Sequence, residues 1–329
     1  MKKAFVLMIA LIFPLMVNAE IRLQDNFEYA VDRTTENSAD AFVSTGPWNG
    51  VKSINSSMRR GCGYIYTVTS IPGFNGRFPG ANSNRVLCME FLPATMNCDV
   101  GDGWLQTDCY LSFGSEASPE NNIPSDVWIQ FWIYLQRYGN QISRFNDGKW
   151  LYPSKTGSYP AQSMTGLDWL VVFSENSHLP YWETAPPGSS YWTNIASNAN
   201  YAPEPDNAWK LGHNMAPNTG RIPLNTWTLV KMHLDTRGPQ GVWEQWHKTI
   251  GGSFVKVMEW RGNVTPNFTW TISNANGHKA LRLGTTINDY DSWIYLDDFV
   301  IATSEADLPT YSSQGPPFPQ PPQNLRIIQ

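Results

Sequence analysis

The ten residues Asp126–Leu135 read D-V-W-I-Q-F-W-I-Y-L. Val127, Ile129, Phe131, Ile133 and Leu135 alternate with Trp128, Gln130, Trp132 and Tyr134. Successive side chains of a β-strand leave opposite faces, so strict alternation marks a strand with two unlike sides. One side here is a core row. The other sets three rings around one amide, unlike a solvated face of Thr, Ser, Lys and Glu.

The same period recurs along the chain, bounded by Gly, Pro, Asn and Asp. It predicts strands near 22–28, 40–44, 63–69, 84–92, 105–113, 126–136, 168–175, 207–214, 226–235, 241–249, 253–261, 279–287 and 292–302. Thirteen strands with almost no helix-period segment imply an all-β sandwich or barrel. Two stretches, 136–167 and 176–206, read as long loops. The second carries Tyr181, Trp182, Tyr191, Trp192 and Tyr201, rings that cover either the domain's own edge or a ligand. From Pro309 the composition turns Pro-rich, as in a tail or linker. The expected division is a leader over 1–19, one β domain over 20–308 and the tail over 309–329.

The leader is expected because Lys2 and Lys3 precede an apolar core, Ala4 to Val17, and a small-residue site, Val17-Asn18-Ala19. Cleavage after Ala19 would place the protein outside the cell or in a periplasm. The formal charge is −5, and −7 without Lys2 and Lys3. With 16% charged residues and no basic tract, nucleic acid is not an expected partner. No later segment is long and apolar enough for a membrane span. A monomer is expected. Cys62, Cys88, Cys98 and Cys109 lack metal-site spacing. In an exported chain four cysteines imply two disulfides, with three pairings open.

Sorting the strands by face gives more positions like those of the opening stretch. Gln106 and Tyr110 leave the face opposite Thr107, Cys109 and Leu111. Trp227, Lys231 and His233 leave the face opposite Val230, Met232 and Leu234. In G-V-W-E-Q-W-H-K both faces hold a tryptophan: Trp243, Gln245 and His247 share one, Glu244, Trp246 and Lys248 the other. Arg282 points away from Leu281 and Leu283. Rings that stack on sugar C–H faces, with amides and cations for hydroxyls and carboxylates, suit a polysaccharide. Layers of loops burying the same rings would suit the composition equally.

Four chemistries find no motif. Paired glycosidase carboxylates about 5 Å apart on one strand would need a pattern such as E-x-D-x-E. Asp297 and Asp298 are adjacent and so should point to opposite faces. No G-x-S-x-G elbow, H-E-x-x-H or phosphate loop occurs. β-Elimination on a uronate remains open. It needs a group to neutralise the carboxylate, a base for the C5 proton and an acid for the leaving oxygen. Gln130 with Arg282 or Lys231 could hold the carboxylate, His233 or His247 could be the base, and Tyr134 the acid. Trp128, Trp132, Gln106, Tyr110, Trp227, Trp243, Gln245, Tyr181, Trp182, Tyr191 and Trp192 would bind sugar.

The chain begins its mature part I-R-L-Q-D-N-F-E-Y (21–29) and closes its domain W-I-Y-L-D-D-F-V-I-A-T-S (293–304). In both features it resembles the concanavalin A-like jelly roll, a sandwich of two antiparallel sheets. Within that superfamily it resembles polysaccharide lyases of the heparin-lyase-I and alginate-lyase type. The resemblance implies that the first and last strands lie side by side. It also implies a structural calcium near the last strand, at Asp298 or, second, Asp25, and no cofactor for the chemistry. The chain departs from those lyases in three places. Gln130 stands in W-I-Q-F-W where they carry Q-I-H or Q-V-H, Y-F-K-A-G has no counterpart, and R-x-E-x-R is echoed only by Arg85 to Glu90. The expected function is therefore cleavage of an acidic polysaccharide by β-elimination. The alternatives are non-catalytic carbohydrate binding and, third, a glycosidase using an atypical pair such as Glu244 or Glu90.

Overall fold

The structure is a computed structural model. It describes residues 21–33, 52–55, 63–80, 83–92, 105–112, 123–137, 148–149, 151–152, 167–171, 181–184, 193–194, 222–235, 242–261, 280–287 and 292–311. The strands in chain order are β1 (Ile21–Asp25), β2 (Lys52–Asn55), β3 (Gly63–Val68), β4 (Val86–Phe91), β5 (Leu105–Ser112), β6 (Asp126–Arg137), β7 (Gly148–Lys149) and β8 (Leu151–Tyr152). They continue with β9 (Leu167–Val171), β10 (Tyr181–Thr184), β11 (Thr193–Asn194), β12 (Thr228–Asp235), β13 (Val242–Thr249), β14 (Val255–Arg261), β15 (Ala280–Ile287) and β16 (Ser292–Ala302). A 3-10 turn at Glu305–Asp307 follows, capped by the Ser304 side chain.

The all-β expectation holds, and every strand pairing is antiparallel. The large sheet runs β14-β13-β12-β6-β16-β4-β3, with β1 also beside β16. A second sheet runs β2-β5-β15-β8 and a third β11-β10-β9-β7. β5 of the second sheet lies against β3 and β4 of the first, which makes the layers of a sandwich. First and last strands are neighbours, as the resemblance implied: Leu23 faces Ile301 and Asp25 faces Phe299. The expected strands at 40–44 and 207–214 lie outside the described residues, as do the leader, Cys62, Cys98 and the tail beyond Tyr311. The stretches read as long loops contain the short strands β7, β8, β10 and β11, whose two to four residues are too few for alternation to signal.

The opening stretch is the middle of the large sheet. Its core row is sealed, with Val127, Phe131, Ile133 and Leu135 fully buried and Ile129 nearly so. Val230, Met232 and Leu234 of β12 continue that row on one side, and Ile294, Leu296, Phe299 and Ile301 of β16 on the other. Phe131 and Phe299 stack at 5.7 Å.

β16 changes phase midway. Asp298 has φ 45°, and the register slips between Asp297 and Val300. This bulge lets Ile294 and Leu296 before it, and Phe299 and Ile301 after it, share the core side. It also corrects the reading of Asp297 and Asp298. The bulge breaks the alternation that would have separated them, so both turn toward the outer side, where Gly80 and Tyr311 meet them.

Cys88 corrects the expectation of two disulfides. It is a free thiol, fully buried on β4, with its ionisation pushed up by burial. The hydroxyls of Tyr66 and Tyr295 stand next to it.

Candidate functional site

Register sorts the expected site residues at once. Lys231 pairs with Gln130 and His233 with Trp128. Trp246 pairs with Lys231 and Glu244 with His233. One outer face therefore carries Trp128, Gln130, Trp132 and Tyr134 with Lys231 and His233, as the alternation predicted. His247 and Gln245, however, pair with Val230 and Met232, so they point into the core side. Trp243 pairs with Leu234 along the backbone. Gln245 and His247 belong with the apolar rows and not with His233. W-E-Q-W-H-K offers a tryptophan to either face and cannot decide the register alone.

Arg282, Gln106 and Tyr110 are on the second sheet, where Arg282 pairs with Tyr110 and Thr286 with Gln106. They do not join the strands bearing Gln130 and His233. Tyr181 and Trp182 lie on β10, in the third sheet. Tyr191 and Trp192 lie outside the described residues.

His247 sits neutral, its ionisation pushed down to about 3 by burial. Its Nε2 lies 2.6 Å from Gln245 Nε2, while His247 Nδ1 and Gln245 Oε1 have no partner.

Much of the outer face is closed. Residues 71–80 cover one part, where Phe74 meets Tyr134 at 5.4 Å and Phe74 and Phe78 both meet Trp227. Residues 303–311 cover another. Gln130 Nε2 donates to the Pro309 carbonyl at 2.8 Å, the Tyr311 ring meets Trp132 at 5.4 Å, and Leu308 packs on Val300 and Ala302. The packed chain thus runs through Tyr311, past the expected boundary at 308. Trp132, Tyr134 and Trp227 are buried among Ile71, Phe78, Cys88, Leu229 and Tyr295, and burial pushes the Tyr134 ionisation up. The row Gln130–Trp132–Tyr134 is a packing layer and not an open groove. Rings buried against other rings gain area and edge contacts at once.

The aspartates expected at a calcium are engaged with protein donors. Asp25 Oδ1 accepts from the Phe27 amide at 2.7 Å and Oδ2 from the Tyr29 hydroxyl at 2.6 Å. Asp298 Oδ2 accepts from the Tyr311 hydroxyl at 2.9 Å. Calcium takes six to eight oxygen ligands, and oxygens already facing N–H and O–H groups do not fit that role. Among the described residues no group of three or more His, Cys, Asp or Glu side chains is arranged to hold a metal.

What stays reachable is the other end of the outer face, across the first turn of β6 and onto β12 and β13. His233 Nε2 lies 3.0 Å from Asp126 Oδ1, and Nδ1 lies 3.5 Å from Glu244 Oε2. Lys256 donates to Glu244 Oε1 at 2.6 Å. The His233 ring stacks on Trp128 at 4.4 Å with 4° between planes, and Trp128 stacks on Trp246 at 5.7 Å. Lys231 Nζ lies 4.8 Å from the Trp246 ring centre and pairs with Glu305 at 2.5 Å. An imidazole between two carboxylates, two ammonium groups and a ladder of rings therefore share one partly solvated patch. Of the residues named from the sequence, Trp128, Lys231 and His233 belong to it. Glu244, named only as an alternative glycosidase carboxylate, belongs to it too, while Asp126, Trp246 and Lys256 were missed as its members. Their signal was the register of β12 with β13, which strand alternation leaves undetermined.

Neither a family model nor a curated protein matches the chain. Solved structures do. A GH131 β-glucanase catalytic domain from Podospora anserina is 12% identical, covering 81% of this chain and 89% of its own, with TM-score 0.38. The exoplasmic/lumenal domain of VIP36, bound to Ca2+ and Man2, is 7% identical, covering 63% and 78%, with TM-score 0.38. A Lotus tetragonolobus seed lectin is 8% identical, covering 72% and 96%, with TM-score 0.32. At these values none of them transfers a residue role to this chain.

Proposed function

We propose that the chain is an exported, monomeric carbohydrate-active protein that engages an acidic polysaccharide, and that binding is its principal act. The observation carrying this reading is the patch around His233. Trp128 and Trp246, the ammonium groups of Lys231 and Lys256, and the carboxylates of Asp126 and Glu244 meet there on a reachable part of the sheet. Rings give a sugar its apolar contact, and charged groups reach its hydroxyls and carboxylates. Binding is preferred over cleavage because the residues named for β-elimination are dispersed: Gln130 is held by Pro309, Tyr134 is buried, His247 faces the core side and Arg282 is on another sheet. Affinity electrophoresis in gels containing alginate, pectate, glucuronan or neutral glucans tests it. Retardation by at least one acidic polymer is expected, weakened in Trp246→Ala. Unaltered mobility in all of them would remove the reading.

Cleavage by β-elimination is the second reading. It is favoured by His233 and Lys231 standing two residues apart on one face of β12, which sets a base beside a cation. Ultraviolet absorbance of the unsaturated product, followed during incubation with the same polymers, decides it. Product formed by the parent and abolished in His233→Ala would promote cleavage over binding alone.

A further inference from the structure

The rings expected to receive sugar are mostly spent on one another. Trp132 meets Tyr311, Trp227 meets Phe74, Phe78 and Tyr134, and Trp128 lies between His233 and Trp246. Phe254, just before β14, is different: it is 36% exposed and adjoins the His233 patch. Its position is fixed by a tight turn. The Gly252 amide donates to the Thr249 carbonyl at 3.0 Å, and Gly251 takes φ 77°, the geometry that requires glycine at the third place of such a turn.

Two ammonium groups lie against this ring, Lys231 Nζ at 4.5 Å from its centre and Lys248 Nζ at 5.7 Å. Their partners differ from that of Lys256, which is tied to the buried Glu244. Lys231 is paired with Glu305, whose side chain is half exposed on the 3-10 turn. Lys248 donates to the Tyr311 carbonyl at 3.0 Å and meets no carboxylate within ion-pair distance among the described residues. An ammonium group has three donors, so the carbonyl leaves two free. An exposed ring beside an unneutralised cation, with a second cation held only by a surface pair, is a place where an anion gains more than a neutral ligand.

We infer that Phe254, Lys248 and Lys231 form a subsite for one carboxylated sugar residue, the ring taking its C–H face and Lys248 its carboxylate, with Lys231 exchanging Glu305 for it. This rests on the carbohydrate reading above and names the charge class of the ligand. Ile250 and Val255 are exposed on the same hairpin.

The test measures binding of the full chain to a polyuronate and to the same polymer after carboxyl reduction, at low and high salt. Lys248→Met and Phe254→Ala should each weaken polyuronate binding about 5- to 10-fold, in line with a cation contact and a stacked ring, in variants whose circular dichroism spectra match the parent's. The reduced polymer should bind the parent weakly and be indifferent to Lys248→Met. Equal binding of both polymers, or polyuronate binding untouched by both substitutions, overturns the subsite while leaving carbohydrate binding intact. No binding of any glycan overturns the carbohydrate reading itself. Phosphatidylglycerol vesicles serve as a third ligand. Vesicle binding lost in Phe254→Ala, with no glycan binding, assigns the hairpin to a lipid surface and overturns the inference.

Discussion

A Cβ placed on Gly80 would fall 2.7 Å from both carboxylate oxygens of Asp297, and the Gly80 amide donates to Asp297 Oδ2 at 2.9 Å. Position 80 is therefore glycine because a carboxylate is packed onto it. Gly80→Ala should lower stability by about 1–3 kcal/mol, as overpacking does, read as a fall in the denaturation midpoint. Burial, and then the neighbouring Asp298, pushes the Asp297 ionisation up to about 8 from an ordinary 3.8. A group that holds its proton more tightly when folded adds stability at low pH and loses it as pH rises through the folded value. Asp297 therefore costs stability progressively between about pH 4 and 8. His247 works the other way. Lowered to about 3 from 6.5, it adds stability above pH 6.5 that is lost as pH falls toward 3. Denaturation midpoints measured from pH 4 to 9 should show the alkaline decline flattened in Asp297→Asn and the acid decline flattened in His247→Gln. Neither residue had a structural role legible in the sequence: the bulge at Asp298 forms against β6, remote in the chain, and W-E-Q-W-H-K offers a tryptophan to either face of β13.

At the scale of elements, the segment 303–311 acts as a strap across β6, β12, β13 and β16. Its anchors are Pro309 on Gln130, Tyr311 on Asp298, Trp132 and Lys248, and Glu305 on Lys231. Tyr311→Phe leaves the buried Asp298 short of a donor and should cost about 1–3 kcal/mol. Gln130→Leu should likewise shift the melting temperature while leaving any glycan binding unchanged, since its amide serves the strap. A loss of binding equal to that of Trp246→Ala would return Gln130 to the site. Alternation located this strand and named its two faces correctly. It could not tell an open face from one roofed by other segments, because Trp, Tyr and Gln satisfy either environment. The P-T-Y run at 309–311 looks like the start of a Pro-rich tail, yet its tyrosine is among the most occupied side chains of the face.

For the whole molecule, the strands were the legible part. Boundaries fell within a few residues for β1, β3–β6, β9 and β12–β16, since each carries at least two apolar positions in alternation. The candidate site was half legible: Trp128, Lys231 and His233 were found on β6 and β12, while β13 was read with the wrong face outward. His233→Ala and Lys256→Met should have separable effects. The first removes the imidazole facing Asp126 and Glu244, and should abolish any elimination chemistry. The second exposes the charge of Glu244 and should chiefly weaken polyanion binding, by about 3- to 10-fold, read as a change in dissociation constant. One feature of the large sheet reaches beyond binding. β16 lies between β6 and the pair β4 and β1, so the middle of the sheet is missing until residues 292–302 have left the ribosome. Contacts spanning nearly the whole chain raise contact order and delay closure. A nascent chain of this design stays unfinished until β16 has emerged. Under the export proposed above, lateness of that kind would keep the chain unfolded for passage through a translocation channel.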